Sequence, residues 1–80
     1  MTDELFDTLE REHLQRARRA LEALMRAGDD RAAWPHWRGL ERGWDALTPG
    51  HRREVKRAAR ELAPCWPDGP RRLAVVEKLP

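Results

Sequence analysis

From Asp3 to about Ala27 apolar residues return every three or four positions, at Leu5, Phe6, Leu9, Leu14, Ala17, Ala20, Leu21, Leu24 and Met25, uninterrupted by proline or glycine. That period predicts one long amphipathic helix. Thr2 is placed to cap it, Asp3 and Glu4 suit the positive end of its dipole, and Gly28 followed by Asp29 and Asp30 stops it. Asp7 with Arg11, Glu12 with Arg16 and Glu22 with Arg26 stand four apart in the favourable acid-first order. On a wheel of about 100° per residue the apolar set covers an arc near 200°, roughly twice what a surface helix needs to bury. At about 1.5 Å per residue the helix reaches about 37 Å, which leaves one end beyond the shorter helices that follow and free for a partner.

Pro35 suits the first turn of a helix and predicts a second helix over about 35–47. Its core stripe is Trp37, Leu40, Trp44 and Leu47, which fall within about 80° of one another. Thr48-Pro49, a capping side chain before a first-turn proline, starts a third helix over about 49–63, and Pro64 ends it. Pro64-Cys65-Trp66-Pro67-Asp68-Gly69-Pro70 reads as an ordered connection. In the last segment Leu73, Val75, Val76 and Leu79 fit either period. A short helix over about 70–79, capped by Asp68, is the better reading because the chain offers no strand partner; an extended form would need one from a second copy.

These elements make a single all-α domain over 1–80, a small bundle of three main helices (about 3–27, 35–47 and 49–63) plus the short C-terminal one. The first helix is expected to lie against an antiparallel pair formed by the second and third. A chain of 80 residues buries only about 60–65% of its unfolded surface. Four tryptophans, Trp34, Trp37, Trp44 and Trp66, supply bulk where Cys65, lacking a second cysteine, builds no internal disulfide. The acidic start and the lack of a long apolar run argue against an export signal or membrane span, and the lone thiol fits a reducing compartment, so a cytoplasmic protein with no membrane partner is expected.

Charge adds the sharpest feature. The 16 basic residues nearly balance 14 acidic ones, and all the basic ones except Lys56 and Lys78 are arginine. On the third helix Arg52, Arg53, Lys56, Arg57 and Arg60 gather in an arc of roughly 140°, opposite Val55, Ala58, Ala59 and Leu62. Such a stripe suits phosphates or an acidic protein surface, and it also suits a solvated face neutralised by neighbouring acids. With the preceding helix it has the outline of a helix-turn-helix, although any tight helix pair shares that outline. Trp34 and Trp66, lying in connections, are candidate aromatic anchors for a partner.

Reaction chemistry has little to stand on. There is no serine, no glycine-rich phosphate loop and no His-carboxylate motif, and Cys65 lacks an orienting base or acid nearby in sequence. His13, His36 and His51 are too scattered for a zinc pattern, so no catalytic residue, metal or cofactor is expected. The expected role is that of a non-enzymatic adaptor or inhibitor, of the kind phages and mobile elements encode, docking on a larger bacterial protein or complex through an arginine-lined face. The alternatives are a nucleic-acid-binding helical module using the third-helix stripe, and a homodimer closed over the first helix.

Overall fold

A computed structural model describes residues 2–80 of the chain. Its order is α1 (Thr2–Arg26), α2 (Asp30–Gly43), a 3-10 turn (Trp44–Ala46), α3 (Pro49–Leu62), a second 3-10 turn (Ala63–Cys65) and α4 (Gly69–Glu77). The predicted all-α bundle is therefore present, with a helical C-terminal segment. Thr2 is the first residue of α1, and the capping expected of it rests on a side chain outside the described part of the structure. No helix is long and apolar enough to cross a membrane, among the described residues.

Two predicted boundaries are corrected. α2 begins five residues before Pro35 because Asp29, in an extended conformation, accepts a hydrogen bond from the Ala32 amide at 2.7 Å and caps the first turn. Pro35 then falls in the second turn, where it forfeits one hydrogen bond and leaves the helix continuous. The early start also brings Ala33 into the core. At the other end the α-helix stops at Gly43, and Trp44–Ala46 tightens into a 3-10 turn before Leu47 extends. Thr48 caps α3 as expected, accepting from the His51 amide at 3.0 Å. Asp68 stands at the N-cap of α4 without a capping bond; its carboxylate faces Arg71 and Arg72 instead.

The packing also differs from the expected arrangement. α1 packs on both α2 and α3, while α2 and α3 do not form a closely packed pair. α1 is thus the central post, and the core assembles on the second half of it: Ala17, Leu21, Leu24 and Met25 meet Ala33, Leu40, Trp44, Leu47, Val55, Ala59 and Val76. The fully buried indole of Trp44 is its largest piece. Trp37 and Trp66 lie at the margin, partly buried against this cluster. Nothing N-terminal to Leu14 joins the core. The first half of α1 extends past it and helps to make a molecule 45 Å long and about 20 Å across.

Candidate functional site

The arginine stripe that dominates the sequence is mostly employed inside the molecule. Helix ends leave carbonyls without partners and carry partial negative charge. Many helices satisfy them with a left-handed residue, usually glycine. Here no residue, glycine included, adopts positive φ among those described, and cations from neighbouring helices do the work. Lys56 donates to the carbonyls of Glu77 (3.1 Å) and Leu79 (2.5 Å) at the end of α4. Arg52 Nε donates to the Trp44 carbonyl at 3.2 Å, just beyond α2. Arg60 grips Glu77 with two parallel bonds of 2.6 and 3.1 Å. Only Arg53 and Arg57 remain exposed and apart from α4. Arg57 faces Glu61 at 4.0 Å, and Arg53 makes no ion pair among the described residues.

A second cation site is not visible in the sequence pattern. Arg72 on α4 is 5% exposed, and its Nη1 donates to the carbonyls of Leu24 (2.8 Å), Met25 (3.4 Å) and Ala27 (2.6 Å). It closes the end of α1 in the way Gly28 was expected to. Nη2 lies 3.5 Å from Asp68 and 3.8 Å from Asp30, which balances the buried charge. Beside it Arg71 clamps Asp30 with bonds of 3.0 and 2.7 Å. The one signal in the sequence is the adjacent pair Arg71-Arg72 opening a helix, where cations are unfavourable unless something else holds them.

These pairs tune two carboxylates. Hydrogen bonds from Arg71 hold Asp30 below the usual carboxylate range, and bonds from Arg60, with Lys56 near, do the same for Glu77. A depressed folded-state pKa contributes stability that is present above the unfolded value, near pH 4, and is lost as pH falls through the folded value. The expected result is a thermal midpoint that declines below about pH 4.5 more steeply in the wild type than in the double variant Asp30→Asn, Glu77→Gln. Melting curves by circular dichroism from neutral to acid pH check it; parallel declines would show that the pairs add nothing.

The same corner carries an apolar hollow. A pocket of about 210 Å³ is lined by Leu24, Ala33, Trp34, Trp37 and Val75, with Asp30, Arg71 and Arg72 completing it. Trp34 is 58% exposed and Val75 42%. The Arg38 guanidinium, one turn along α2, lies 5.7 Å from the centre of the Trp34 ring, within cation–π range. Trp34, expected in a connection, thus projects from a helix. Trp66, the other candidate anchor, turns inward: it packs on the core, and its indole Nε1 is buried with no acceptor among the described residues.

No protein-family model, curated protein or solved structure matches the chain. Among the described residues no three His, Cys, Asp or Glu side chains gather so as to hold a metal ion. Cys65 is exposed, and its nearest acceptor is the Glu61 carbonyl of its own chain turn at 4.0 Å. The Trp34 pocket has aromatic walls and fixed charges of both signs. An apolar group would fit the hollow, and polar groups would meet Arg71 and Asp30 at its edge.

Proposed function

We propose that this chain is a non-enzymatic interaction protein, an adaptor or inhibitor that docks on a larger protein through the arginine-lined pocket around Trp34. The observation that carries this reading is the exposure of Trp34, 58%, over a hollow with aromatic and aliphatic walls. Exposed tryptophans beside such hollows are over-represented among the residues that dominate binding energy.

The nucleic-acid reading rests on the two stripe residues with no part in holding α4, Arg53 and Arg57. Two phosphate contacts give a salt slope of roughly −2 on duplex DNA, too shallow for firm binding at physiological salt.

Three immobilised proteins separate these readings: the wild type, Trp34→Glu, and Arg53→Glu with Arg57→Glu. Lysate of the organism that encodes the chain is passed over each. A stoichiometric protein retained by the wild type and the double variant, and lost by at least tenfold from Trp34→Glu, is the expected result. Retention that survives Trp34→Glu and fails in the double variant would move the docking face to α3. Nucleic acid in place of protein on the wild-type matrix would favour the second reading.

A further inference from the structure

We infer that α4 is a latch over the Trp34 hollow: it opens as a unit while α1, α2 and α3 stay folded, and the hollow exists only while it is closed. The opening stands by itself; its use as a gate for a docked partner rests on the function proposed above.

The core does not depend on α4. Every member of the buried apolar cluster except Val76 belongs to the first three helices or the segments between them. Of the other apolar residues on α4, Leu73 is half-buried, and Ala74 and Val75 are exposed. What seats the helix is mainly polar and lies toward its two ends. On the α3 side Lys56 donates to the carbonyls of Glu77 and Leu79, and Arg60 grips the Glu77 carboxylate. On the other side Arg72 serves the three carbonyls at the end of α1, and Arg71 clamps Asp30. Water replaces such partners far better than it replaces apolar contact, and closing strips the Arg72 guanidinium of its hydration, which offsets part of what its bonds contribute. An element with few buried apolar contacts belongs to the low end of the range of local opening energies.

α4 also forms one wall of the hollow. It packs on α3 and α1 and not closely on α2. The gap left between α4 and α2 is the pocket, with Arg71, Arg72 and Val75 on one side and Ala33, Trp34 and Trp37 on the other. The Arg71–Asp30 clamp spans that gap. Opening therefore removes a whole wall, and an occupant of the hollow, which binds the closed state alone, holds α4 shut. By the same linkage Lys56 and Arg60, which take no part in lining the hollow, keep it assembled from the opposite side of α4.

Native-state hydrogen exchange on the full chain, followed residue by residue, tests the latch. The amides of Val75, Val76 and Glu77 are expected to exchange through one shared opening, with protection at least about a hundredfold below that of Leu21 and Leu24 in α1. Ala17→Gly, in the middle of α1, is expected to lower α1 protection by about fivefold and to leave α4 protection unchanged, because the opened state keeps α1. Lys56→Gln with Arg60→Gln is expected to lower α4 protection by about tenfold or more. Equal protection in α1 and α4, a parallel fall in both with Ala17→Gly, or no response of α4 to the double variant would each overturn the latch. The gate is tested with 4-methylpentanamide, a neutral amide with one branched apolar end, whose affinity is read from the Trp34 and Trp37 indole N–H signals. At about ten times its dissociation constant, α4 exchange is expected to slow by about tenfold. Unaltered α4 exchange with the amide bound would show that the hollow survives opening and overturn the gate. Indole signals that never shift would count against the hollow as a binding site and overturn the gate with it, the latch being judged by exchange alone.

Discussion

Arg72→Ala is expected to destabilise the protein by about 3 kcal/mol and to lower its thermal midpoint by about 12 °C or more. The side chain is nearly inaccessible and its Nη1 serves three main-chain carbonyls at the end of α1. Hydrogen bonds with a charged donor contribute about 1.5–3 kcal/mol each, and the acceptors left behind in a buried corner lose their only partner. A domain of this size has a total stability of about 4–12 kcal/mol, so a loss of this order removes a large share of it. Arg72→Met keeps the aliphatic stem and removes the donors, which separates packing from capping. Urea unfolding followed by far-ultraviolet circular dichroism measures both. A loss under about 1 kcal/mol for either variant would mean that water replaces the guanidinium at little cost.

Gly69→Ala is expected to do at least as much damage, for a different reason. A Cβ at this position would overlap the Ala63 carbonyl oxygen and stand 2.6 Å from its carbon. Both atoms belong to the backbone of the 3-10 turn after α3, and a backbone cannot swing aside as a side chain can. The start of α4 must therefore lift away, taking with it Arg72, the buried Val76 and the acceptors of Lys56 and Arg60. The need is for close approach and not for an unusual conformation, since no glycine here has positive φ. Gly39→Ala provides the contrast: nothing lies within 4 Å of the place its new methyl group would take, and in the interior of α2 alanine should stabilise by about 0.5–1 kcal/mol. Thermal melts of the two variants should move in opposite directions. A Gly69→Ala protein that melts with the wild type would show that α4 is not seated against α3 in this way.

Both predictions concern α4, the element whose local pattern is least decisive. Its helical state is legible because a short segment with no strand partner in the chain has one way to satisfy its backbone. Its role is not. Arg71 and Arg72 at the opening of a helix look like solvated charge until Asp30, forty residues away in sequence, and the open carbonyls of α1 arrive in the same place. The start of α2 departs from expectation because proline at the first turn is a strong local preference, yet Asp29 makes a capping bond that the proline does not oppose. The arginine stripe lies on its helix as the period places it, and the period gives no sign of what covers it. Lys56 and Arg60 become fasteners because α4 ends beside them, a contact between residues about twenty apart.

What the sequence by itself determined was the set of helices and their apolar faces, since period, caps and prolines act within a few residues of one another. It also determined the long reach of α1. The tertiary structure alone decided which cations are free. A guanidinium on a helix wheel is the same whether it meets water, a carboxylate or the carbonyls at a helix end. Those carbonyls are orphaned by geometry, and only the packing of α1, α3 and α4 shows that Arg72 closes the end of α1, which Gly28 was expected to close, and that Lys56 closes the end of α4.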